Sequence, residues 1–145
     1  MNRAILFALL AGALIGCQQA VVPIVQQENK PAPDPAIKYY KGPADGKKVA
    51  IHLQDGFKGE HVTLHYNNVR LWDGDPKTSR ALGKAAIVNF TIGNEATAKI
   101  GIQLEGQLIE KSFPWEKGAY IAIRIPPGEK REVTWRQQDE DFIYE

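Results

Sequence analysis

The sequence predicts an all-β domain folded as a two-sheet sandwich of about seven or eight short strands. Three observations predict it. From Lys48 onward the apolar residues recur at every second position rather than at helical spacing, which is the period of a strand with one buried face. Turn-forming Asn, Gly, Pro and Asp clusters interrupt that pattern at intervals of roughly ten residues. The segment is also long enough, at roughly a hundred residues, to bury a core without disulfide or metal staples.

The elements follow in chain order. Val49, Ile51 and Leu53 alternate with Ala50, His52 and Gln54, and Val62, Leu64 and Tyr66 alternate with His61, Thr63 and His65. Asn67-Asn68 tolerates the positive φ angles of a two-residue hairpin loop, so the chain is expected to return through Val69, Arg70, Leu71 and Trp72. After a polar loop from Asp73 to about Lys84, Ala86, Val88, Phe90 and Ile92 make a one-sided strand. The Gly93-Asn94-Glu95-Ala96 turn leads into Ala98, Ile100, Ile102 and Leu104, the cleanest alternation in the chain. Gly106-Gln107 precedes a strand over residues 108–111, and Pro114 and Gly118 bracket a loop. Residues 119–125 form the next strand, which Pro126-Pro127-Gly128 stops because proline donates no ladder hydrogen bond. Residues 132–136 and finally Phe142-Ile143-Tyr144 complete the set. This spacing suits an immunoglobulin-like or transthyretin-like sandwich, with a small closed barrel as the rival. No repeat of 20 to 50 residues is visible.

The first forty-odd residues have a different character. Arg3 is followed by an uncharged run over residues 4–16 containing Ile5, Leu6, Phe7, Leu9, Leu10, Leu14 and Ile15. That run is shorter than the ~20 apolar residues needed to span a bilayer, and its basic start and polar exit have the form of an export signal. It ends in Leu14-Ile15-Gly16-Cys17, and Cys17 is the only cysteine. These residues resemble the lipobox of bacterial lipoproteins. The resemblance implies cleavage before Cys17, fatty acylation of that residue, and stable attachment to a membrane through two or more acyl chains. Gln at position 18, rather than Asp, resembles the sorting signal for the outer membrane where the cell has one. Residues 17–47 read as a linker after a signal peptide of residues 1–16. Gln26-Gln27 and Pro31, Pro33 and Pro35 favour an extended, semi-rigid spacer, interrupted by the apolar patch Val21-Val22-Pro23-Ile24-Val25. The folded domain is expected over residues 48–145, with Tyr39-Tyr40 at its margin.

The composition excludes several functions. Removing residues 1–16 takes away Arg3 and no acid, so the 18 basic residues become 17 against 17 acidic ones. A neutral chain offers no basic stripe for nucleic acid. Ser79 and Ser112 lie outside any Gly-x-Ser-x-Gly turn, the one cysteine is assigned to lipid, and no phosphate-binding glycine loop occurs. Asp73-Gly74-Asp75 starts like a calcium loop but continues Pro76-Lys77 where oxygen ligands are needed. His61 and His65 share a strand face about 13 Å apart at ~3.3 Å per residue, too far for one metal. A metal site pairing one of them with His52 and Glu60 or Asp55 is a weaker reading than three solvent-facing histidines. Asp139-Glu140-Asp141 reads as a solvated turn. Neither a cofactor nor a catalytic residue is expected.

The aromatic residues are the remaining candidates. Trp72, Trp115 and Trp135 are many for this size, and Trp72 and Tyr120 fall out of phase with the aliphatic face of their strands, which predicts partial exposure. Trp72, Trp115 and Tyr120 are therefore the expected binding residues, since exposed rings anchor protein interfaces or stack on sugars. Asp55-Gly56-Phe57, Val62-Thr63-Leu64-His65-Tyr66-Asn67-Asn68 and Phe142-Ile143-Tyr144 together resemble small uncharacterised bacterial β-domain proteins, a resemblance that brings no activity. The expected function is that of a non-enzymatic envelope lipoprotein, held by its lipid anchor, whose sandwich binds an envelope protein or supports an assembly. A carbohydrate or cell-wall binding module is the alternative.

Overall fold

The structure is a computed structural model that describes residues 37–128 and 130–144. The strands are β1 (Lys47–Leu53), β2 (Val62–Tyr66), β3 (Val69–Gly74), β4 (Ala86–Ile92), β5 (Thr97–Leu104), β6 (Gln107–Pro114), β7 (Tyr120–Arg124) and β8 (Thr134–Gln138), with one 3-10 turn at Trp115–Lys117. They form two four-stranded sheets, ordered β4-β1-β7-β8 and β3-β2-β5-β6.

Each sheet presents its alternate apolar positions to the other. Val49, Ile51 and Leu53 from β1, and Ile121 and Ile123 from β7, meet Val62, Leu64 and Tyr66 from β2, and Ile100, Ile102 and Leu104 from β5, in one cluster of buried side chains. The central strands supply the core because both of their neighbours shield them. The result is a sandwich, not a closed barrel. In an immunoglobulin-type sandwich the first two strands are neighbours in one sheet; here β1 pairs with β4 and β7 while β2 pairs with β3 and β5. The immunoglobulin alternative fails on that order and leaves the transthyretin-like one.

Local chemistry sets the connections. Asn67 and Asn68 take φ of 46° and 68°, and the two-residue loop places Tyr66 opposite Val69 as the hairpin requires. Glu105 and Gly106, at φ 51° and 78°, make the equivalent loop between Leu104 and Gln107. The pairing of β1 with β7 is parallel and joins residues 70 apart in sequence, such as Ile51 and Ile121.

Three expectations need correction. The domain begins earlier than Lys48: Tyr39 bridges Arg70 in parallel, the Tyr40 amide donates to the Arg70 carbonyl, and the Thr91 hydroxyl donates to the Pro43 carbonyl. Residues 39–46 thus lie along the exposed edges of β3 and β4. Those edges carry unpaired peptide groups that need a cover. Phe142-Ile143-Tyr144 is not a strand, and pairing stops at Gln138 among the described residues. His52 is not solvent-facing; it is 1% exposed, because that same C-terminal segment lies over it.

The expected signal peptide of residues 1–16, the acylation site Cys17 and the linker as far as residue 36 lie outside the described residues.

Candidate functional site

The outer face of the β4-β1-β7-β8 sheet carries a buried histidine beneath a crossing segment and an open cleft beside it. Across the β1 and β7 pair, Ala50 stands opposite Tyr120 and Ala122 opposite His52. Two alanines leave a shallow trough between larger neighbours. Ala50 and Ala122 are nonetheless buried at 5% and 1%, although they point away from the core. Residues 141–144 follow β8 on this face and lie over His52.

His52 is the centre of that contact. Its Nδ1 lies 2.7 Å from the Tyr144 hydroxyl, and the two rings stack with 13° between their planes. Phe142 approaches edge-on at 5.0 Å between centroids and Tyr120 at 6.3 Å. The Gln54 side-chain amide donates to the Tyr144 hydroxyl at 3.2 Å. The hydroxyl thus accepts from Gln54 and shares a second hydrogen bond with Nδ1, whose direction is set by the imidazole tautomer. Nε2 faces Asp141 Oδ1 at 3.1 Å, a charge contact that is not aligned as a hydrogen bond. Burial holds the His52 pKa below the ordinary imidazole range; the Asp141 carboxylate opposes that shift and Lys84 adds to it.

Beside the trough an open cleft of about 500 Å³ remains, lined by Lys48, Ala50, Asn89, Thr91, Tyr120 and Asp141 among others. Half-buried Tyr120 forms one wall. Of the three aromatic residues expected from sequence, Tyr120 is the one placed in such a cleft. It alternates with Ile121 and Ile123, which face inward, and so faces out.

The two tryptophans belong elsewhere. Trp115 is 4% exposed and sits in the core at the β6 to β7 crossing, where its carbonyl accepts from the Lys47 ammonium at 3.0 Å. It offers no ring face to a ligand. Its place was readable: Trp115 continues the inward phase of Ile109 and Phe113. Trp72 is partly exposed, but for a reason other than phase. A β-bulge between Leu64 and His65 adds Leu71 to β3 and sets Trp72 opposite the core residue Leu64, so its ring packs against the core margin and over Gly74. Trp72, Trp115 and Tyr120 therefore do not form one surface.

The remaining polar candidates form separate pairs. His61 contacts Asp75 at 2.9 Å, Asp55 pairs with Arg124 at 2.5 Å, and Asp73 accepts from the Tyr39 hydroxyl at 2.5 Å. Glu60 and Glu105 both bind Arg131, which also donates to the Gly56 carbonyl at 2.8 Å. Among the described residues, no three His, Cys, Asp or Glu side chains converge as a metal site would require. On the outer face of the other sheet, His65 has a buried Nε2 without a partner among the described residues; burial lowers its pKa, with Arg70 adding and Glu110 opposing.

Compared with protein-family models and with curated protein sequences, the chain matches none.

Proposed function

We propose that this chain is a lipid-anchored lipoprotein of the bacterial envelope whose sandwich binds a partner protein without catalysing a reaction. The observation that carries the binding half is the Tyr120 cleft: a rigid, half-buried ring beside a small alanine, on a face built from two central strands. Rings held in this way lose little conformational freedom on contact and are common anchors of protein interfaces. The anchoring half rests on Leu14-Ile15-Gly16-Cys17 at the end of a short apolar run, which resembles a lipobox. Attachment to the outer membrane, where one exists, follows from Gln18 by the same resemblance.

The carbohydrate-binding alternative draws less support. A glycan surface needs several exposed rings in a row, and here Trp115 is in the core while Trp72 and Trp135 rest against it.

Proximity labelling in the native envelope tests the binding half. The wild-type chain is expected to label a small set of envelope proteins that a Tyr120→Ala variant of equal abundance loses; identical sets from both would sink the reading. For the anchor, metabolic fatty-acid labelling is expected on the wild type and not on Cys17→Ser, and label persisting in the variant would refute acylation at that residue.

A further inference from the structure

The segment over His52 is fastened in an unusual way. Residues 141–144 form no strand pairing among the described residues; they are held by side chains. Phe142 and Tyr144 turn toward the sheet while Ile143, between them, is 88% exposed. Both ring nitrogens of one buried histidine face this segment, Nδ1 toward Tyr144 and Nε2 toward Asp141. The segment can therefore lift away without breaking a ladder bond of the sandwich.

The charges around it define what would lift it. Lys84 Nζ sits 5.0 Å from the centre of the Tyr144 ring, and the Arg136 guanidinium lies 5.9 Å from that of Phe142. Asp141 is the one anion in contact with the imidazole, and its side chain is 63% exposed, so water screens its attraction. Asp55, the other acid near Tyr144, is paired with Arg124. Tyr120 from β7 and Gln54, the residue after β1, complete the surroundings with neutral groups. A proton added to His52 would place a second cation near Lys84 on a side chain closed to solvent. It would also make both ring nitrogens donors, so that Nδ1 could no longer accept from the Tyr144 hydroxyl.

We propose that residues 141–144 are a strap, shut at neutral pH and released by acidification, with His52 as its latch. Release uncovers His52 and widens the Tyr120 cleft, whose wall Asp141 forms in the shut state. The strap is independent of which partner the protein binds, because its opening is a property of the chain alone. The sign follows from linkage. In the shut state burial depresses the His52 pKa, so the open state takes up the proton more readily. Opening is therefore favoured as pH falls below the ordinary imidazole value of about 6.5, and the effect levels off below the depressed value.

NMR on the full chain in detergent micelles tests this through the nuclear Overhauser contacts between the Tyr144 ring and the Gln54 side chain, which the shut strap holds together. Between about pH 7.5 and about pH 5 these contacts are expected to fade, the open fraction rising by up to about tenfold per pH unit below about 6.5. The amides of Ile51 and Ile121 should stay protected, which separates strap release from unfolding. His52→Gln keeps a polar side chain but cannot titrate, and should leave the strap pH-independent. Asp141→Asn, at an exposed position, removes the one compensating anion and should open the strap further at a given acid pH. Wild-type Tyr144–Gln54 contacts unchanged at about pH 5, a His52→Gln strap that opens along the wild-type profile, or an Asp141→Asn profile identical to wild type would each overturn the proposal.

Discussion

At the scale of single residues, the polar groups that matter are those the core has closed over. Tyr66 is 2% exposed, yet its hydroxyl donates to the Glu95 carboxylate. Burial first, and then that carboxylate, push the Tyr66 pKa far up, while the donated proton holds Glu95 below its ordinary range. The Trp115 indole Nε1 is buried nearby and opposes part of the Tyr66 shift. Tyr66→Phe keeps the ring in its contacts with Tyr40 and Phe90 and removes only the hydroxyl. It is expected to cost about 1–3 kcal/mol, since a charged acceptor loses its donor, as measured by urea unfolding at neutral pH. Its pH dependence should differ as well. A carboxyl with a depressed folded pKa stabilises the protein above its ordinary value of 4.5, and loses that contribution as pH falls through the depressed one. The variant should therefore show a weaker loss of stability in that acid window than the wild type.

At the scale of elements, turns and strands were legible wherever the deciding interactions are local. Alternation located β1, β2, β4, β5 and β7, each with one face on the core; β3 followed from the Asn67-Asn68 hairpin, whose residue type accepts positive φ, and β6 and β8 were placed by the turn residues around them. Two glycines test how far such local reasoning extends. Gly106 has φ 78° and open space where a Cβ would stand, whereas a Cβ on Gly118, at φ 119°, would lie 2.0 Å from the Gln138 carbonyl oxygen. Gly106→Ala should thus cost only its backbone conformation, about 1 kcal/mol. Gly118→Ala must in addition move β8, and should lower the unfolding midpoint several times more; equal midpoints would contradict this packing. What local pattern did not reveal is coverage by distant chain. His52 alternates like a solvent-facing residue, and Phe142-Ile143-Tyr144 alternates like a strand. Both readings fail for one reason, that the segment lies across the sheet instead of pairing with its edge. The candidate site was legible only at Tyr120, whose outward phase is local. The bulge that turns Trp72 toward the core depends on the pairing of β2 with β3, and the early start of the domain depends on edges that the sequence does not display.

At the scale of the whole molecule, the two sheets differ in how far the chain must travel to build them. The β3-β2-β5-β6 sheet consists of two hairpins with two-residue loops, joined through β2 and β5. The β4-β1-β7-β8 sheet has β1 at its centre, whose partners are drawn from residues such as Ile87 opposite His52 and Ile121 opposite Ile51. Closing those long loops costs entropy before the contacts return it, and sandwiches rich in such pairings refold in about milliseconds to seconds. The hairpin sheet is therefore expected to be more developed in the folding transition state. Ile102→Val and Ile51→Val compare the two directly, as both positions are fully buried and each substitution removes one methyl at a cost of about 0.5–1.5 kcal/mol. Stopped-flow kinetics in urea should show Ile102→Val acting mainly on the refolding rate and Ile51→Val mainly on unfolding. The reverse order would mean that β1 recruits β4 and β7 early. The expected order bears on the site, since the Tyr120 cleft, the trough and the strap's latch all lie on the sheet that forms last.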